Sequence, residues 1–458
     1  GRLPLVFFTN MPQNAGMIQS SFNKNGFSGT IVNDSIQGFI VNYTDATAAN
    51  LDALVHDGII TTDVNEMVNI LGLNTTVTPE DGQLAGDING VDPNFRMPQI
   101  WKSMLGIDWT VPVSFPLTFT IEGMFNKTLW GVRLVDWNLK YDMIANAGDE
   151  FRFNGPDKRV DYRLLVDEDG NSNYTYGSHS AYVLTNSREG YGYTINAAVS
   201  TTPFKNFNLN AAYTHTESKE ISGMPGSAAT SAYSNLYSVD GPTFVGIQRS
   251  QYVIPDKVTA SVGYMFPALF DGDGIRISLF YTGYSAGAYS YIYSNDLNGD
   301  GMASDLMYIP NDVNELKWVS EEDMNAFKTF MDNDKYLSEH KGQYAEAYAG
   351  RSPWRHILDA RIAKTFKKTI GKTTHCFELS VNANNLLNMF NSSWGLYKYT
   401  CYGSYEVVNP LKVDHFEDYT PVFSMNKVNG EYPTETFTNT HINTNQCWSL
   451  MFGLKYSF

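Results

Sequence analysis

"CWSLMFGLKYSF", Cys447–Phe458, reads as two interleaved lists. One is Trp448, Leu450, Phe452, Leu454, Tyr456 and Phe458; the other is Cys447, Ser449, Met451, Gly453, Lys455 and Ser457. A period of two puts them on opposite faces of a strand. One face is then large and apolar, the other small and polar. A membrane barrel wall and a soluble β-sandwich both alternate this way, so a single strand does not choose between them.

The pattern recurs. "LTFTIEGMFN" opposes Leu117, Phe119, Ile121 and Phe125 to Thr118, Thr120, Glu122 and Asn126. "YGYTINAAVS", "NLNAAYT", "KVTASVGYMF", "IRISLFYTG" and "FELSVNANN" alternate likewise, and "WKSMLGIDWTV" and "HILDARIAKTF" fit. These are about nine segments of roughly ten residues, the length a tilted strand needs to cross a bilayer. Charge then separates the two architectures. The polar faces carry Lys102, Asp108, Glu122, Lys257, Arg276, Asp359, Arg361, Glu378 and Lys455; the apolar faces of the same segments carry only Lys364. A Lys or Arg at the lipid midplane costs about 2–4 kcal/mol, so a lipid-facing surface must look like the second set. The expected fold class is all-β: a transmembrane antiparallel β-barrel.

Composition narrows the function. The 458 residues carry a net charge of -16, which argues against a nucleic-acid partner. Charged residues are 17% and aromatics 14%, with 29 Tyr and 27 Phe, and no apolar run is long enough for a membrane helix. The first residues, "GRLPLVFFTN", have neither Met nor a signal-like pattern. There is no HExxH pair, GxSxG elbow or Walker loop, so no enzyme is expected.

The connections alternate strictly between short and long. Short ones fall at 112–115, 202–206, 267–274 and 367–375, and long ones near 10–98, 127–189, 218–255, 286–354 and 389–446. Outer-membrane barrels have short periplasmic turns and long extracellular loops. Within the long segments, "LDALVHDG" and "DVNEMVNILG" read as short helices and 320–349 as a helical pair, with Ser320 and Asp323 in an N-terminal capping arrangement.

Several loop motifs carry chemistry. "DLNGDGMASD" places Asp296, Asn298 and Asp300 at positions 1, 3 and 5 of a calcium loop, Gly301 at 6 and the Met302 carbonyl at 7. Met307 occupies position 12 where Glu would close the site; Asp305 is the substitute. Asp, Asn and Gly are also ordinary turn residues, as in "DGDG" at 271–274. Cys401 and Cys447 both fall on the oxidising side, which suggests a disulfide between them, with Cys376 a thickness of bilayer away. The tract "YTGYSAGAYSYIYS" (281–294) reads as an interfacial aromatic girdle or as a stacking surface for sugars or peptides.

A last strand of alternating aromatics ending on Phe resembles the C-terminal insertion signal of bacterial outer-membrane proteins. "ELSVNANNLLNMF" (378–390) resembles the penultimate-strand motif of TonB-dependent receptors. "NDLNGDGMASDLMYIP", "YLSEHKGQYAEAYAGRSPWRHILDARIAKTF" and "DPNFRMPQIWKSMLGIDWTVP" resemble the Oar-like, SusC-related receptors of the Bacteroidota, so the likeness spans about 92–458. The resemblance implies a barrel of 22 strands around a plug, driven through TonB, ExbB and ExbD, that imports a glycan, peptide or chelate. It makes residues 1–458 the C-terminal part of that barrel. The N-terminal half, with plug and remaining strands, is expected on a separate chain or segment, and a surface lipoprotein is a candidate partner. A non-transporting adhesin or scaffold is the other reading. In the last strand, Trp448 and Tyr456 would sit at the interfaces, Leu450, Phe452 and Leu454 in lipid, and Phe458 would end the signal.

Overall fold

A computed structural model describes residues 87–437 and 446–458, apart from 177–178, 227, 268–273, 286 and 404–405. Before residue 87 it describes the backbone of strands Gln19–Lys24, Phe27–Val32 and Ser35–Val41, residues 55–58, and positions 61, 63, 66, 69 and 70. The opening "GRLPLVFFTN", the "DGDG" turn and most of the two short helices expected before residue 75 lie outside the described residues.

Nine long strands pair antiparallel in chain order: β1 (Gln99–Thr110), β2 (Leu117–Asp136), β3 (Tyr191–Thr201), β4 (Phe207–Glu220), β5 (Asp256–Phe266), β6 (Ile275–Ser285), β7 (Trp354–Ile370), β8 (Thr373–Asn384) and β9 (Ser449–Ser457). Three short strands, Ile88–Val91, Ala181–Ser187 and Gln248–Arg249, bring the sheet to twelve. The molecule is mostly β, and no helix among the described residues is long and apolar enough to cross a membrane. Among the described residues the sheet does not close: β1 pairs only with β2, and β9 only with β8.

Register joins the two faces across strands. One row runs Gly106, Glu122, Asn196, Thr214, Lys257, Tyr284, Arg355. A row on the other face runs Trp109, Phe119, Val199, Ala211, Ala260, Tyr281, Leu358. On that face of β7 to β9, Ile362 meets Val381 and Val381 meets Phe452, while Leu379 meets Leu454. All nine charged residues expected on the polar face share one face, because a period-2 pattern in antiparallel register cannot mix them. Among the described residues neither face is roofed by a second sheet: on the apolar side Leu105, Phe452 and Leu454 are 74%, 76% and 71% exposed.

Two expectations need correction. Strands run further than the alternating segments show: β2 continues to Asp136, and β7 and β8 meet at a two-residue Gly371-Lys372 turn, with Gly371 at φ 64°. Lys364 is also not alone on the apolar face. Lys127, Glu217, Lys219, Asp256 and Lys368 share that face by register, all toward strand ends beyond or at the limits of the predicted segments.

The described residues of the long connections 137–190, 221–255, 286–353 and 385–448 fold together at one end of the sheet. Phe153, Tyr289, Tyr291, Tyr293, Met307, Phe327, Phe330, Val408 and Phe423 share one core, drawn from three of them. Each fully buried large side chain contributes about 1.5–3 kcal/mol. The aromatic tract is therefore neither girdle nor stacking surface at its far end: Tyr289, Tyr291 and Tyr293 are buried, with Tyr291 stacked on Tyr336 and Tyr293 on Phe423. The expected helical pair forms as α1 (Glu321–Asn333) and α2 (Lys335–Glu339). Ser320 Oγ accepts the Asp323 backbone N–H at 3.1 Å, and Asp334 accepts that of Leu337 at 2.9 Å. These are side-chain caps for otherwise unpaired amides.

Candidate functional site

Two surfaces carry polar chemistry: the polar sheet face and the loop body at its end. On the sheet, Arg361 Nη2 on β7 donates to Glu378 Oε1 on β8 at 2.8 Å, and Lys455 on β9 lies opposite Glu378. Thr120 donates to Asp108 at 2.5 Å, Asn196 to Glu122 at 3.3 Å, and Thr214 to Asn196 at 3.0 Å. Cross-strand polar pairs of this kind form a hydrophilic wall, each contributing modestly.

The loop body is fastened by a group outside the expected motifs. Arg159 is fully buried, donating to Asp157 at 3.0 Å, to Asp305 Oδ1 at 3.0 Å and to the Leu306 carbonyl at 2.6 Å. Its guanidinium stands over the rings of Tyr293 and Tyr344. Burial opposes its charge, but Asp157 and Asp305 outweigh that and raise its pKa. The signal lay in "DKRVDYR" (157–163), where Asp and Arg alternate two apart, twice: Arg163 donates to Asp161 at 2.7 Å.

This arrangement bears directly on the calcium motif. Asp296, Asn298 and Asp300 come together in one turn, as the spacing implies. Asp296 accepts the N–H of Gly299 at 2.8 Å and of Gly301 at 2.9 Å; Asn298 accepts that of Asp300, and Asp300 that of Met302. Gly299 and Gly301 have φ of 79° and 85°, backbone that favours glycine. Asp305 stands apart in role, its oxygens taken by Arg159 and by the Leu297 N–H at 2.9 Å. Burial, Asp305 and Asp296 push the Asp300 carboxyl well above the usual range. Burial likewise lifts Asp305 to about 6, against the pull of Arg159. No group of three or more His, Cys, Asp or Glu side chains among the described residues is arranged to hold a metal. A cation here would rely on Asp296, Asp300, Asn298 and carbonyl oxygen.

The expected Cys401–Cys447 disulfide is not formed: Cys376, Cys401 and Cys447 all carry thiols. Cys401 is buried in the loop core, its backbone N–H donating to the Thr436 carbonyl at 2.7 Å, whereas Cys447 is exposed beside β9. Burial pushes the Cys401 thiol up to about 12. Of the terminal signal, Leu450, Phe452, Leu454 and Tyr456 lie in β9; Trp448 and Phe458 flank it, with Phe458 stacked on Tyr456 at 5.5 Å.

No protein-family model, curated protein or solved structure matches this chain.

Proposed function

We propose that this chain is part of the wall and surface loops of an outer-membrane β-barrel, and that the barrel is a TonB-dependent receptor importing a nutrient. The observation that carries the membrane reading is the inverted sheet. Among the described residues, nine strands present Leu, Ile, Val and aromatic side chains on one uncovered face, whose charges lie toward strand ends, and nine charged residues on the other. A soluble sheet with both faces exposed would leave the apolar one in water, whereas lipid on that side and an aqueous lumen or plug on the other satisfy both. Edges β1 and β9 need partners, since open strand edges are not tolerated in lipid. The N-terminal half of the receptor, with its plug, supplies them in this reading.

Transport rests on the resemblance of 378–390 to the penultimate-strand motif of TonB-dependent receptors and of 92–112, 295–310 and 336–366 to the SusC-related, Oar-like receptors. The co-folded loops would capture the ligand, and TonB with ExbB and ExbD would act through the plug. We include in the proposal a calcium ion on the Asp296–Asn298–Asp300 turn, where a divalent cation would offset the clustered carboxylates.

The test is uptake. Cells carrying the intact receptor should accumulate a nutrient that cells lacking it do not, and dissipating the proton gradient should abolish the difference. Outer-membrane residence with no energised uptake of any tested glycan, peptide or chelate would favour an adhesin or scaffold.

A further inference from the structure

On the apolar face of β1 to β4, the row at the loop end is not apolar. Register aligns Trp101 with Lys127, Lys127 with Tyr191, and Tyr191 with Lys219. Just beyond it, two guanidiniums pack over the Trp130 ring, with Arg96 Cζ 4.6 Å and Arg188 Cζ 4.4 Å from its centroid. Asn186 holds the Arg96 backbone from both sides, accepting its N–H at 2.6 Å and donating to its carbonyl at 2.8 Å. The strand carrying Trp130 has a register shift here, opposite Gln99 and Ile100. Among the described residues, no carboxylate pairs with Arg96, Lys127, Arg188 or Lys219. Two acids lie close by and have other partners: Glu217 accepts from the Tyr193 hydroxyl at 2.8 Å, and Glu346 lies 3.7 Å from Arg249 Nε, the residue that register puts opposite Lys219.

Height places this cluster. Ten residues of β2 separate Leu117 from Lys127. At about 3.3 Å per residue and a tilt near 40°, that is roughly 25 Å along the membrane normal, the height of a barrel's apolar band. Lys127 thus stands where hydrocarbon gives way to headgroups on the loop side. Cations on that face at that level meet lipid phosphate, and an Arg packed over an aromatic ring still has N–H donors to offer it.

We propose that Arg96, Lys127, Arg188 and Lys219, around Trp130 and Tyr191, form a binding site for the phosphate groups of a glycolipid headgroup in the surrounding leaflet. The inference rests on the membrane reading above.

The test uses the whole receptor, extracted in neutral detergent and examined by native mass spectrometry with a diphosphorylated glycolipid, its dephosphorylated counterpart and inorganic phosphate. The wild-type protein should retain the diphosphorylated lipid. R96Q/K127Q/R188Q should retain at least about tenfold less, the loss expected when charge-assisted hydrogen bonds go, and R96Q/K127R/R188Q, which keeps a cation at 127, should recover part of it. Unchanged heat-dependent gel mobility of the variants shows that they fold; should the triple variant lose it, K127Q and R188Q singly make the same test. Equal retention of both lipids, indifference to the substitutions, or complete displacement by millimolar inorganic phosphate overturns the proposal while leaving the membrane reading intact. A protein that needs no detergent overturns both.

Discussion

Arg361 and Glu378 meet at 2.8 Å across β7 and β8, on the face shared with Lys455, while their chain neighbours Ile362 and Leu379 point the other way at 50% and 51% exposure. Around this pair, charge and hydrocarbon therefore take opposite faces at adjacent positions. This predicts an asymmetry between adjacent positions. Leu379→Arg should cost about 2–4 kcal/mol of barrel stability, and Ser380→Arg close to nothing. Denaturant titration of the receptor folded into vesicles measures both; equal costs would contradict the facing.

Arg159→Ala should loosen the loop body. It leaves Asp157 and Asp305 buried without their cation, and breaking such a pair costs about 3–5 kcal/mol. Limited proteolysis should then cut within 137–190 or 286–353 while the strands stay protected. Wild-type resistance in the variant would mean that the network is not holding the loops.

The thiols give a third test. Maleimide applied to the native protein should modify exposed Cys447 and leave buried Cys401 untouched until the loops are unfolded. A Cys401–Cys447 linked peptide in protein from oxidising medium would contradict the structure.

Acid should open one loop at a defined point. Asp167 accepts from Lys140 Nζ at 2.6 Å and from the Asn171 N–H at 2.8 Å, and these bonds lower its pKa to about 2. The group binds its proton less readily folded than unfolded. Its contribution is thus fully present above the ordinary carboxylate pKa near 4 and is lost as pH falls from there through about 2. Proton-detected titration of the 167–171 turn should show a midpoint near 2, and Asp167→Asn should remove that transition. A midpoint near 4 would show that the Lys140 contact does not persist.

Calcium should protect 286–353 from protease at micromolar to millimolar concentration, with Asp300→Asn abolishing the effect. Protection indifferent to chelator would remove calcium from the account.

The strands were legible because alternation is local: Phe452 and Leu454 declare their face without reference to any neighbour. Strand ends were not, since Val132 and Leu134 alternate on past the point where β2 leaves the apolar band to pair with 181–187. The tyrosines at 289, 291 and 293 carry the same period, yet the rings packed on them are Tyr336, Phe423 and Phe437, distant in the chain. The helix cap at Ser320 was legible, being contained in four residues; the partner of Asp305 was not, because Arg159 lies in a different loop.

The most direct measurement of the central claim is paramagnetic relaxation of single nitroxides at 120, 121, 379 and 380 in the reconstituted receptor. Positions 121 and 379 should respond to lipid-dissolved oxygen and be shielded from an aqueous nickel chelate. Positions 120 and 380 should show the reverse, or shielding from both where a plug covers them. Nickel access at 121 and 379 equal to that of a loop site would contradict a lipid-facing sheet.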